Sequence, residues 1–122
     1  MQLTRDSSAV NFIRAWEPGR VRIAERWIAG NVIVGSDRIL ENWTTVEPHV
    51  LTLEHLEPAL ALDPTIIVLG TGKERLLPDV ELMAAVAARS VGLEIMSTPA
   101  ACRTFNVLLG EQRRVVAALF NR

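Results

Sequence analysis

Hydrophobic positions follow two rhythms along this chain. From residue 9 to about residue 34 they form short β-prone runs, 10–16, 21–23 and 32–34, punctuated by Pro18-Gly19 and Gly30-Asn31. Proline presets one turn angle and glycine reaches backbone conformations closed to other residues, so this opening reads as a meander of short strands. Residues 35–38 read as a loop, and 39–43 are too short to assign. Leu53, Leu56 and Leu60 then recur at helical spacing. Pro58 argues against one continuous helix there, because its ring clashes with the preceding turn. It fits better as the first position of a short second turn over 58–62.

The second half alternates strand and helix. Residues 65–69 (Thr-Ile-Ile-Val-Leu) form a continuous apolar run between Pro64 and Gly70, the pattern of a strand buried on both faces. A helix is expected from Pro78-Asp79 to about Ser90, with Asp79 as its cap and Glu81 in the first turn. Val80, Met83, Ala84 and Ala87 follow the spacing of its core face, Leu82 and Val86 broaden that face, and Gly92 is the stop. Residues 93–96 are the next strand. Thr98-Pro99 starts a second main helix, a hydroxyl cap followed by proline, which runs to Leu109 and stops at Gly110. Ala101, Phe105 and Leu108, with Leu109, form its inward stripe, and residues 113–120 make a final strand. Two strand–helix passages in succession predict a layered α/β domain.

Bulk composition narrows the class without naming a chemistry. The 122 residues make one domain, with residues 1–8 a loose polar lead-in, and 49% hydrophobic content suffices for a core. Thirteen basic and fourteen acidic residues leave a formal charge of −1, which offers no electrostatic footprint for nucleic acid. Every basic residue except Lys73 is arginine, yet no arginine run stands out. No apolar stretch is long enough to span a membrane, and the first residues show neither an apolar signal core nor a basic presequence. The expected location is the cytoplasm.

Candidate chemistry is sparse. His49 and His55 lie among Glu47, Glu54 and Glu57 but fall on no common helical face, so solvated surface is preferred to a metal centre. Trp16, Trp27 and Trp43, without basic interleaving, read as packing between the meander and the rest of the domain. The loop Gly70-Thr71-Gly72 follows a strand end, where open α/β sheets bind ligands, and Lys73 comes next; an anion cradle and a plain turn are both open readings. Cys102, the only cysteine, lies in an early turn of a helix beside Arg103 and one turn before Asn106. A helix dipole and a cation favour a thiolate, and Thr71, Arg103 and Asn106 would then orient an anionic substrate. No base accompanies it, which favours instead a small buried thiol, with Arg103 paired to Glu94 or Glu111.

Four segments taken together carry a resemblance: Leu69-Gly-Thr-Gly72, Glu94-Ile-Met-Ser-Thr98, Ala101-Cys-Arg-Thr-Phe-Asn-Val-Leu108 and Glu111-Gln-Arg-Arg-Val-Val-Ala-Ala-Leu119. In that order and spacing, over about residues 9–120, the chain resembles a domain-of-unknown-function family of bacteria and archaea. The eukaryotic members of that family include assembly factor three of mitochondrial respiratory complex I and a protein linked to adipogenesis. The resemblance implies a three-layer α/β fold with an N-terminal β-meander, two main helices and a mixed central sheet whose last strand runs against its neighbours. Strand–helix–strand handedness alone would make that strand parallel. The family carries no established catalytic residues. It implies a protein-interaction factor that assists assembly of a respiratory or membrane complex, a bacterial member here, with protein partners, a homo-oligomer open, and no metal or cofactor. The competing function is an anion binder or cysteine-dependent enzyme built on Gly70, Thr71, Gly72, Lys73, Arg103, Asn106 and Cys102.

Overall fold

Alternation along one strand sets out the architecture. Residues 10–122 are described by the computed structural model, and the lead-in expected over 1–8 lies outside the described residues. In strand β8 (Val115–Leu119), Val115, Ala117 and Leu119 join one core, while Val116, Ala118 and the following Phe120 join a second core on the opposite face. Period-two alternation with apolar residues on both sides is what a central strand covered by two layers requires.

The remaining elements build those layers. Strands β1 (Ile13–Glu17), β2 (Arg20–Ile23) and β3 (Arg26–Ala29) form a small antiparallel sheet. The main sheet holds β4 (Val32–Val34), β5 (Ile39–Glu41), β6 (Ile66–Gly70), β7 (Gly92–Met96) and β8 in the order β5-β4-β8-β6-β7. Helices α1 (Leu53–Leu60) and α2 (Val80–Ala88) cover one face, and α3 (Thr98–Gly110) with the small sheet covers the other. The α/β three-layer fold with a meander and a mixed sheet is as expected. The Pro18-Gly19 turn joins β1 to β2, with Gly19 at φ 93.

Several local expectations give way to packing. Strand β8 is parallel to β6, pairing Ile66 with Val115 through Gly70 with Leu119, and antiparallel to β4. The general handedness rule therefore holds on the β6 side, and β8 does not run against both neighbours. Strand β4 leaves the meander for the main sheet, so Gly30 and Asn31 mark a crossing between sheets. The second hairpin turns instead at Ala24 and Glu25, with Ala24 at φ 56.

Among the described residues there are three α-helices rather than two main ones, because α1 runs unbroken through Pro58. The missing proline N–H forfeits one bond to the preceding turn, and the buried side chains of Leu56, Ala59 and Leu60 hold both turns against the sheet. The imidazole of His55 accepts from the Thr52 amide at 3.0 Å, which makes it part of the helix start. Among the described residues no group of three metal-ligating side chains forms.

Helix α2 has the expected cap, Asp79 accepting from the Glu81 amide, but the opposite phase. Leu82 and Val86 are buried, whereas Val80 is 73% exposed and Met83, Ala84 and Ala87 also face solvent. A helix apolar on nearly every side has no unique inward stripe, so tertiary contacts choose it.

The helix stops also move. Gln112, at φ 63, takes the left-handed position after α3, with the Gln112 amide on Leu109 O at 2.9 Å and the Arg113 amide on Leu108 O at 3.0 Å. Ser90, at φ 61, does the same after α2, and Gly92 begins β7. The pair of bonds is the Schellman arrangement, normally closed by glycine.

Gly110 is thus in the helix, with open space around its missing side chain, while a glutamine occupies the strained position. Gly110→Ala and Gln112→Gly should each stabilise the domain by about 0.5–1 kcal/mol, through helix propensity and relief of left-handed strain. Urea unfolding midpoints of the two variants check this. A lower midpoint for both would contradict the assignment.

Candidate functional site

The carboxyl ends of β6 and β8 mark the point where the sheet order reverses, since β7 lies on one side of β6 and β8 on the other. Open α/β sheets form their ligand crevice at such a point. Here the crevice is closed by Thr98, the first residue of α3, which is fully buried. Its hydroxyl accepts from the Gly72 amide at 2.8 Å and donates to Phe120 O at 2.7 Å. Its own amide donates to Gly72 O at 2.7 Å. The helix cap falls one residue earlier than expected, on Ser97, whose hydroxyl accepts from the Ala100 amide.

Close approach explains the first glycine of the loop. A Cβ on Gly70 would lie 2.9 Å from Thr98 Cα and 3.0 Å from both Ala101 Cβ and a Leu119 methyl. Gly72 sits at φ 106, against the Arg122 side chain. Thr71 is buried as well: its amide donates to Met96 O, and its hydroxyl donates to Glu74 O at 2.7 Å and accepts from the Leu76 amide at 2.9 Å. The amides that would cradle an anion are therefore committed within the chain. Lys73 is exposed beside a 440 Å³ depression that Glu74 and Arg122 also line, and the Arg122 guanidinium is engaged by Glu47.

The helix residues point three ways. Cys102 is buried in the core with Ala101, Phe105 and Leu109, and desolvation pushes its thiol up to about 12 from an ordinary 9.0. The neighbouring Arg103 charge pulls the other way without offsetting that burial. Arg103 is exposed and makes no ion pair with Glu94 or Glu111 among the described residues. Asn106 turns to the meander: its amide nitrogen donates to Ile13 O and its oxygen accepts from Ile13 N, both at 2.8 Å. That pair of bonds imitates a neighbouring strand and fastens β1 to α3.

The tryptophans divide similarly. Trp43 packs edge-on against Phe120, and Trp16 lies against the meander-side core. Trp27 lies on the outer face under the Arg20 guanidinium, 4.1 Å from its ring centre, and does not bridge the layers. Thr98 is the residue of this region whose position the sequence marks but whose role it misassigns. Serine before it was the available sign, because Ser97 is an equally good cap and leaves the next hydroxyl free for another role.

Residues 13–120 match a family described as a protein of unknown function (DUF498/DUF598). The chain is 32% identical over 85 residues, 69% of each chain, to a "13 kDa major membrane protein" of Francisella tularensis. It is 30% identical over 119 residues to the "NADH dehydrogenase [ubiquinone] 1 alpha subcomplex assembly factor 3" of Danio rerio, covering 96% of this chain and 68% of the relative. Among solved structures it resembles a Bordetella pertussis protein described as a Mth938-like domain. The TM-score is 0.80 at 26% identity, over 99% of this chain and 92% of that one.

The geometry at Cys102 and at Thr98 has measurable consequences. Because the Cys102 thiol ionises far less readily folded than unfolded, its contribution to stability is complete below pH 9 and is lost between 9 and about 12. The slope there should approach about 1.4 kcal/mol per pH unit and vanish in Cys102→Ala. Iodoacetamide labelling of the native protein at pH 7.5 should be negligible until denaturant is added, and fast native labelling would restore the nucleophile reading. Thr98→Val, which leaves the Gly72 amide and the Phe120 carbonyl without that partner, should cost about 2–4 kcal/mol in urea unfolding. Thr98→Ser should cost about 1 kcal/mol.

Proposed function

The chain belongs to the DUF498/DUF598 family, and on that premise we propose that it is a non-enzymatic protein-interaction factor that assists assembly of a membrane-bound respiratory complex from the cytoplasmic side. Support comes first from the relatives named as assembly factors of NADH dehydrogenase. The chain spans 53% of the human relative's length, so the inference concerns this domain's contribution. The observation that carries the reading is the contrast between a filled crevice at the strand ends and exposed apolar side chains outside it. The crevice where this fold class takes ligands is occupied by Thr98, while Leu76, Leu77, Val80 and Met83 are all exposed within the one short segment that leads into and begins α2. Large apolar side chains gathered on one surface mark an interaction site more often than single scattered ones do. No helix among the described residues is long and apolar enough to cross a membrane.

The strand edge beside this surface is partly closed. Strand β7 is one of the two edge strands of the main sheet, and Arg75 Nε donates to Ile95 O at 3.1 Å. Side-chain contact on α2 is therefore favoured over strand addition as the docking mode.

In-cell crosslinking followed by affinity purification from the native host should recover subunits of the membrane NADH dehydrogenase with the wild-type chain. The double variant Leu77→Asp/Val80→Asp, altered at exposed positions, should keep its unfolding midpoint and lose those subunits. Recovery of none with the wild type, or equal recovery with both, would reject the proposal. Recovery of the chain itself alone would point to a homodimer on this surface.

A further inference from the structure

At the end of the main sheet opposite Thr98 lies a cavity of 540 Å³, within the size range of small-molecule sites. Its floor is apolar, built from Leu62, Pro64 and Leu109. Three exposed arginines, Arg38, Arg113 and Arg114, line its mouth against the single acidic residue Asp37. Folding assembles this group from separate segments: Arg38 comes from the loop after β4, and Arg113 and Arg114 come from the turn that ends α3. No ion pair joins the three arginines to a carboxylate of the described residues.

We propose that this cavity binds a small amphipathic anion, a carboxylate or phosphate monoester carrying a short apolar body. Arginine is the side chain suited to the head group, because its planar fork meets two oxygens at once. Arg114 is tethered, since its Nε donates to Asp63 O at 3.1 Å, a bond that does not use its two terminal nitrogens. The backbone that carries Arg113 is fixed by its amide on Leu108 O. The carboxyl end of α3 opposes an anion with only about half a charge. Its Leu108 and Leu109 carbonyls are taken by the Arg113 and Gln112 amides, so three cations against one carboxylate dominate the mouth. The apolar floor then selects for a tail: inorganic phosphate or acetate would leave Leu62 and Leu109 uncovered, whereas a chain of several methylenes would cover them. This site is independent of the α2 surface, and variants there leave it intact.

The test is an amide NMR titration of the full chain with sodium octanoate and octyl phosphate, below micelle-forming concentrations. Acetate serves as the head group alone and octyltrimethylammonium as the opposite charge. Saturable shifts should concentrate at Leu62, Gln112 and Arg113 with octanoate and octyl phosphate, be much weaker with acetate, and be absent there with the cation. Arg38→Gln/Arg113→Gln should weaken octanoate binding at least roughly tenfold, the loss of charge-assisted hydrogen bonds, while Arg22→Gln in the meander leaves it unchanged. Arg113→Lys, which keeps the charge and the fold but loses the fork, should weaken it by a smaller factor. Shifts away from the cavity, equal binding of the cation, equal binding of acetate, or unchanged affinity in the arginine variants would each overturn the proposal.

Discussion

One hydroxyl holds the domain's two halves in register. Thr98 bonds at once to the loop that leaves β6 and to the backbone that leaves β8, and it does so from the first residue of α3. A side chain that both accepts and donates is needed, because one partner is an amide and the other a carbonyl. Buried backbone groups left without partners are costly, so this position constrains three chain segments together. Gly70 is the steric counterpart: only a residue without Cβ lets α3 sit this close to the strand end. The consequence is functional as much as structural. The crevice where open α/β sheets take their ligands is used up by the chain's own contacts.

Helix α3 then distributes its faces with little left over. Ala101, Cys102, Phe105 and Leu109 fill the core beneath it, and Asn106 clamps the meander through Ile13. A thiol in that setting is a packing atom whose ionisation is opposed by burial, and the adjacent arginine is too exposed to change the outcome. Helix α2, by contrast, spends only Leu82 and Val86 on the core and leaves an apolar flank in solvent.

Much of the layered fold was legible because its strands are strongly marked. The run over 65–69, bounded by proline and glycine, could hardly be anything but a buried strand, and β7 and β8 shared that clarity. Legibility failed where local rules are degenerate. The phase of α2 was invisible because apolar residues surround the helix, and Pro58 misled because the worth of Leu56 and Leu60 to the sheet is a tertiary quantity. Glycine at 110 drew the left-handed stop two residues too early, because it was inferred from residue type while the turn fell on Gln112. For the site, sequence picked out the correct neighbourhood around 70–72 and 98–106, but the same residue types serve ligand binding and chain closure. Only distances separate the two uses.

The arginines show the reverse case, where a feature too diffuse to notice in sequence becomes local in space. Arg38 and the pair Arg113 and Arg114 carry no shared motif, and their meeting depends on β4 lying antiparallel to β8, so that the end of one strand adjoins the start of the other. That pairing also separates the molecule into two ends of different character. At one end the β6 and β8 termini are sealed by Thr98, and at the other the turn after α3 and the loop after β4 stand apart around an apolar floor. Interior closure at the expected crevice and an opening at the opposite end follow from the same topology. On the two readings proposed above, a domain built this way would offer its rim and outer helix for recognition, with the closed centre keeping those surfaces in place.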